Sequence, residues 1–93
     1  MNNLQITTSD NSKIHINGEI TEKNWTEAFN QISIQIEQIN QPVLCLENLT
    51  KGDSSALSLI MQLSQSARKL KKKLAIQNLP PFLAQLAKLY NLK

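Results

Sequence analysis

The sequence predicts a single α/β domain, in which helices pack against a small mixed sheet of four strands. Three observations lead to this prediction: two alternating runs near the start, a long helical stripe after them, and short apolar runs separated by further helical patterns. The expected order of elements is β-β-α-β-α-β-α. Strands and helices that alternate after the first pair predict parallel neighbours with right-handed crossovers. The whole chain, 1–93, fits one domain.

The first two strands are predicted to form an antiparallel hairpin. Residues 4–8 and 13–17 both alternate apolar and polar side chains, as half-buried strands do. The polar residues 9–12 between them favour a turn. Ile14 and Ile16 are therefore expected on the buried face of the hairpin, with His15 on the opposite face.

The first helix is predicted to follow an N-cap at Thr21 and to end near Gln38. Five large apolar residues at spacings of three and four lie on one helical face. Three isoleucines within this segment also alternate as in a strand, but the helical stripe is longer and favours a helix. The stripe consists of Trp25, Phe29, Ile32, Ile36 and Ile39, and the alternating residues are Ile32, Ile34 and Ile36.

Two short strands and two more helices complete the predicted fold. Residues 43–46 and 74–76 are apolar runs of the kind found in strands covered on both faces. A second helix is expected from the turn at 53–55 to about Leu70, and Pro80-Pro81 opens a third. The predicted buried side chains are Ala56, Leu59, Ile60, Leu63, Ala67 and Leu70 in the second helix and Phe82, Leu83, Leu86 and Tyr90 in the third.

The composition argues against several classes of protein. Aromatic residues make up only 4% of the chain, which argues against a platform for stacking bases. The single cysteine, Cys45, cannot form an internal disulfide and is expected to be a buried thiol. The sequence contains no catalytic motif, since it has one histidine and no paired carboxylates. Its two glycines are too few for a glycine-rich phosphate loop. We therefore expect a non-enzymatic protein without metal or cofactor.

Because no signal peptide is visible, the cytoplasm is the expected location.

The basic residues cluster in one segment of a chain with a net charge of +3. One interpretation is a contact with an anionic partner, and the other is that cations stabilise the end of a helix and solubilise the following turn. The second interpretation is favoured, and no nucleic acid partner is expected, because no aromatic or glycine residues are interleaved with the charges. The cluster consists of Arg68, Lys69, Lys71, Lys72 and Lys73.

The turn at Asp53-Ser54-Ser55 is the candidate functional site. The first N–H groups of a helix have no intrahelical partner, and the helix dipole makes that end slightly positive. A hydroxyl at this point is well placed to receive a phosphate or to contact a partner.

The second helix also carries a lateral stripe below this turn. Helical geometry aligns Ser54 with two apolar side chains and a cation, as on an edge that docks another protein. Alternatively, the two apolar side chains pack against a neighbouring helix of the same domain, and the sequence leaves both readings open. The stripe consists of Ser54, Leu57, Met61 and Arg68.

The chain resembles the STAS domain family, which includes the bacterial anti-sigma factor antagonists. The resemblance rests on the order of elements, on Gly18-Glu19-Ile20 after the second strand and on Asp53-Ser54-Ser55-Ala56-Leu57 at the head of the second helix. In that family, a partner kinase phosphorylates the serine or threonine that directly follows the aspartate, and the resemblance assigns this role to Ser54. Family members often have a glycine near position 55 or 56, whereas here Gly52 precedes the aspartate.

The end of the chain suggests a narrower resemblance. Residues 86–92, Leu-Ala-Lys-Leu-Tyr-Asn-Leu, are similar to the C-terminal helix of the MlaB family, the STAS subunits of the phospholipid ABC transporter that maintains outer-membrane lipid asymmetry. This resemblance implies a cytoplasmic subunit that binds the transporter ATPase and meets the inner membrane only through that complex. The alternative is an anti-sigma factor antagonist that binds an anti-sigma factor kinase. The implied contact residues are Asp53, Ser54, Leu57, Met61 and Arg68.

Overall fold

The computed structural model describes residues 4–10, 12–52 and 54–89, with side chains up to residue 85. These residues form one mixed sheet with helices packed against it, which confirms the predicted fold class. The strands are β1 Gln5–Ser9, β2 Lys13–Ile20, β3 Val43–Cys45, β4 Leu49–Gly52 and β5 Ala75–Gln77, and the helices are α1 Trp25–Gln38, α2 Ser54–Lys69 and α3 Pro81–Leu89. The sheet has the order β1-β2-β3-β5, and β4 also pairs with β2, so it contains one short strand more than the predicted four.

The predicted hairpin is present. Strands β1 and β2 pair in antiparallel register from Gln5 opposite Asn17 to Ser9 opposite Lys13. Ile14 and Ile16 are buried in the core. His15 is half-buried, and its Nε2 lies 2.7 Å from the hydroxyl of Ser9. His15 therefore forms a hydrogen bond with Ser9 across the two strands of the hairpin.

Helix α1 begins at Trp25, so the predicted N-cap at Thr21 is wrong. Residues 21–24 instead form a turn, in which the Asn24 amide accepts a hydrogen bond from the Thr21 N–H at 2.9 Å. The same amide donates to the Glu19 carbonyl at 2.9 Å. The hydrogen bonds of this buried asparagine connect the end of β2 to the start of α1, and the helix begins only at the next residue.

The side chains of α1 follow a helical period. Ile32 and Ile36 are fully buried, whereas Ile34 between them is 53% exposed. An alternating strand would place all three isoleucines on the same face. The burial pattern therefore agrees with the longer stripe from Trp25 to Ile39.

Strand β4 lies in a segment for which the sequence predicted neither strand nor helix. It pairs in parallel with Gly18, Glu19 and Ile20, which extend β2 beyond the predicted end of that strand. Only Leu49 of β4 is buried, while Thr50 and Lys51 are exposed. The strand carries too few apolar residues to produce an alternating pattern, and its pairing with β2 defines it.

Helix α2 spans the predicted segment but ends before Leu70, which is 45% exposed rather than buried. Lys71 has a φ of 59°, in the left-handed region. This turn lets the Lys72 N–H donate to the Ala67 carbonyl at 2.9 Å and the Lys71 N–H donate to the Arg68 carbonyl at 2.8 Å. These bonds form a Schellman motif, which diverts the chain from the helical path at Leu70.

Strand β5 and helix α3 lie where the sequence predicts them, but the burial of β5 differs from the prediction. Strand β5 lies at the edge of the sheet and pairs with β3, so Ala75 and Gln77 are exposed rather than covered. Helix α3 begins at Pro81, and Leu83 is fully buried. The side chain of Leu86 and the whole of Tyr90 lie outside the described residues.

The connections place α1 and α2 side by side. Each leads from one parallel strand to the next in the same direction across the sheet, and right-handed crossovers put both helices on one face, where they pack together. Their N-termini therefore lie at the edge of the sheet where β2, β3 and β5 end, and their C-termini at the edge where these strands begin. We call these the helix-start edge and the helix-end edge.

One cation of the basic cluster stabilises this arrangement. The Lys72 ammonium donates to the carbonyls of Ile36 and Glu37, each at 2.8 Å, and so satisfies two acceptors at the end of α1. The interpretation that cations stabilise a helix end thus holds for Lys72, although the helix is α1 rather than α2.

Replacement of this ammonium is expected to lower stability. Lys72→Met retains most of the aliphatic chain but leaves both carbonyls without the charged donor, which should reduce the free energy of unfolding by about 1–2 kcal/mol. Chemical denaturation measures the change. Lys73→Met is the matched control, because that neighbouring side chain is exposed and should alter stability by less than about 0.5 kcal/mol. Equal effects of the two changes would contradict the assigned role.

Candidate functional site at the start of helix α2

Ser54 occupies the position predicted for a phosphate acceptor or contact residue. It is the first residue of α2 and is exposed. The backbone N–H groups of the first helical turn lie beside it without intrahelical partners. Asp53, the other residue of the predicted turn, lies outside the described residues. The Ser54 side chain is therefore accessible from solvent.

An open depression of about 470 Å³ adjoins Ser54 between the starts of the two helices. Helix α2 contributes three hydroxyl side chains to it. The other wall comes from the start of α1, which the sequence analysis did not include in the site. The lining residues are Glu22, Trp25, Thr26, Ser54, Ser55 and Ser58.

The order of elements in the sequence indicates the wall that the start of α1 contributes to the depression. About thirty residues separate the two helix starts along the chain, so no motif spacing connects them. However, two successive right-handed crossovers bring both N-termini to the same edge of a sheet. Trp25 and Ser54 could therefore have been placed at one edge from the predicted order of elements.

The α1 wall is held in a defined position. Trp25 stacks on Phe29 with ring centroids 5.3 Å apart and an interplanar angle of 4°. Both rings are half-buried and pack against the core. Asn24, which immediately precedes Trp25, forms side-chain hydrogen bonds with the backbone of Thr21 and Glu19. The depression thus has one wall fixed by aromatic packing and a buried amide.

Gly52 determines how closely β4 approaches α2. A Cβ atom at this position would lie 2.7 Å from the Cβ of Ala56, which is shorter than real Cβ contacts. Only a glycine allows this approach of strand and helix immediately before Ser54. The departure from the usual family pattern, a glycine before the aspartate, therefore has a packing reason in this chain.

The four residues of the lateral stripe do not form one continuous surface. Leu57 is 5% exposed, so for this residue the alternative of packing within the domain holds. Met61 is 38% exposed, and Ser54 and Arg68 are exposed. Fourteen residues of helix, about 21 Å, separate Ser54 from Arg68. Ser54 at the start of α2 and Met61 in its middle remain accessible, and Arg68 lies at the helix-end edge.

Charged side chains at the helix-start edge are mainly acidic. Among the described residues, four carboxylates and two lysines lie at or near the ends of β2 and β3, in β4 or at the start of α1. A phosphate on Ser54 would add about −1.5 to −2 charges to this edge. The carboxylates are those of Glu19, Glu22, Glu27 and Glu47, and the lysines are Lys23 and Lys51.

Cys45 is a buried free thiol, with Sγ 3.6 Å from the Gln77 side-chain oxygen. The described residues contain no group of three side chains able to hold a metal ion. None of the described helices combines the length and the apolar character that crossing a bilayer requires.

These features define a small mixed α/β domain with an accessible serine at the head of its second helix. A sequence model of the STAS domain matches residues 3–93, and the chain therefore belongs to the STAS domain family. A search of curated proteins gives no match.

Two solved structures of SpoIIAA share this fold. The anti-sigma factor antagonist SpoIIAA in its unphosphorylated form is 18% identical, with a TM-score of 0.72 over 96% of this chain and 81% of that one. The Bacillus cell fate determinant SpoIIAA in its phosphorylated form is also 18% identical, with a TM-score of 0.69 over 96% of this chain and 84% of that one. At this identity the likeness concerns the fold.

Proposed function

We propose that this chain is a cytoplasmic, non-enzymatic STAS module that docks a protein partner at the start of α2. The observation that carries the proposal is the exposed Ser54 beside a depression built from two helix starts. The site offers hydroxyl groups, one carboxylate and a fixed aromatic wall. These groups suit recognition of a polar partner surface.

Within this role, an anti-sigma factor antagonist switched by phosphorylation of Ser54 is the better supported function. The two SpoIIAA structures of similar fold are of an anti-sigma factor antagonist in its unphosphorylated form and of SpoIIAA in its phosphorylated form. The helix-end effect on a phosphate is only about 1 kcal/mol, so phosphorylation would change folding little. The phosphate would instead occupy part of the depression and add charge where the partner docks, which would release an anti-sigma factor kinase.

The second candidate is the STAS subunit of a phospholipid ABC transporter. It is favoured by the similarity of residues 86–92 to the C-terminal helix of the MlaB family and by the exposed Met61 below Ser54. In this role Ser54 would be a small contact residue that is not modified. The partner would be the transporter ATPase at the inner face of the inner membrane.

A glutamate at position 54 should separate docking from folding. Ser54→Glu places a carboxylate at the depression, and we expect at least about tenfold weaker partner binding with unchanged or slightly raised stability. Affinity capture from the source cells with wild-type and variant bait, followed by titration of the purified partner, measures this change. Gln65→Glu is the matched control, because it adds the same charge to an exposed position further along α2.

The captured partner and the state of Ser54 distinguish the two candidates. Recovery of an anti-sigma factor kinase, together with phosphate on Ser54 by mass spectrometry, supports the switch. Recovery of an ABC ATPase with unmodified Ser54 supports the transporter subunit, and Met61→Glu should then weaken binding as well. Full binding by the combined Ser54→Arg and Met61→Glu variant would exclude this surface in both roles.

A further inference from the structure

The helix-end edge concentrates positive charge opposite the Ser54 site. Among the described residues, six cations and two carboxylates lie at this edge, where the helices end and the parallel strands begin. At the opposite edge the described residues include four carboxylates and two lysines, so the described part of the domain is electrically bipolar. The helix-end set consists of Lys13, Arg68, Lys69, Lys71, Lys72, Lys73, Asp10 and Glu37.

Not all of these cations are available to a partner. Lys72 binds the end of α1, and Lys13 lies 3.8 Å from the Asp10 carboxylate. Four exposed cations remain, two in the last turn of α2 and two in the segment after it, where the Schellman motif ends the helix. They are Arg68, Lys69, Lys71 and Lys73, and we call them the basic corner.

An exposed apolar side chain lies within the basic corner. Leu70, between Lys69 and Lys71, is 45% exposed because the left-handed Lys71 turns the chain away from the helix. A leucine surrounded by cations matches the interface of an anionic bilayer, where the charges meet headgroups and the apolar group enters the acyl boundary. Nucleic acid fits less well, since the corner has no aromatic side chain on which a base can stack.

We propose that the basic corner docks this domain directly on a membrane surface rich in anionic phospholipid. The charge asymmetry would orient the domain with its helix-end edge on the lipid. Because α2 has sixteen residues and spans about 24 Å, Ser54 would then face away from the membrane. The proposal is independent of the identity of the protein partner, and it departs from the expectation that the chain meets a membrane only through a complex.

Vesicle co-sedimentation of the full chain tests this proposal. The probes are phosphatidylcholine vesicles with and without phosphatidylglycerol, and binding should require phosphatidylglycerol and fall at high salt. Each basic residue near an anionic surface changes partitioning by about fivefold, so Lys69→Glu with Lys73→Glu should lower it at least about 20-fold. Leu70→Ser should lower it severalfold by removing the apolar contact.

A charge-matched control makes the result specific. Lys23→Glu with Lys51→Glu makes the same change of net charge at the helix-start edge and should leave partitioning within about twofold. Thermal unfolding of each variant establishes that it is folded. Equal loss in both double variants, or no dependence on phosphatidylglycerol, would overturn the proposal. Tighter binding to a single-stranded oligonucleotide or an acidic peptide, with the same sensitivity to Lys69 and Lys73, would overturn the lipid assignment.

Discussion

Leu57→Ala is expected to lower the free energy of unfolding by about 2–3 kcal/mol. The side chain is 5% exposed, so its truncation removes buried apolar surface and leaves a cavity. Denaturant unfolding measures the loss as a lower midpoint with an unchanged slope. The result would assign Leu57 to the interior of the domain rather than to the partner.

Met61→Ala is the matched control for this change. It removes an apolar side chain from the same stripe one turn further along α2, but Met61 is 38% exposed. Its effect on stability should stay below about 1 kcal/mol. If Leu57→Ala kept native stability and lost partner binding, Leu57 would be a docking residue and the assignment from burial would be wrong.

Gly52→Ala is expected to cost about 2 kcal/mol and to disturb the start of α2. The new Cβ would lie 2.7 Å from the Ala56 Cβ, and neither atom can rotate away because both are fixed to the backbone. Strand β4 and helix α2 must therefore separate, as in other overpacked interiors. This separation would displace Ser54 and weaken partner binding as well.

A double-mutant cycle isolates the contact between the strand and the helix. Ala56→Gly removes the opposing Cβ but costs about 1 kcal/mol by itself, because glycine is a poor helix former. In that background, Gly52→Ala should have an effect near zero, so the two changes should couple by more than about 1 kcal/mol. Additive effects of the two changes would show that the close approach does not restrict position 52.

Local patterns in the sequence were sufficient for most of the fold. The five-residue stripe of α1, the alternation around Ile14 and Ile16, and the helix from 54 to 69 all depend on periodicity in neighbouring residues. The errors have a common cause. Thr21, Leu70 and strand β4 were misassigned because each depends on a contact with a distant residue or on a single turn that diverts the chain.

The candidate site shows the same division. Ser54 could be singled out from the sequence, since a serine at a helix start is a local feature. The wall formed by Glu22, Trp25 and Thr26 could not be found by motif spacing, because a second crossover brings it beside Ser54. Helical geometry aligns Leu57 with Met61 but does not show which of them is covered by the rest of the domain. The structure shows that Leu57 is buried and Met61 is exposed.

The sequence by itself determined the class of fold, the family resemblance and the position of the serine at the head of α2, because these follow from the order and periodicity of residues. Only the tertiary structure decided that Gly52 must be small, that Leu57 is interior and that Lys72 serves the end of α1. It also decided that Leu70 is exposed within the basic corner. The properties of Gly52, Leu57 and Lys72 arise from contacts between different helices and strands, which the periodicity of neighbouring residues does not encode.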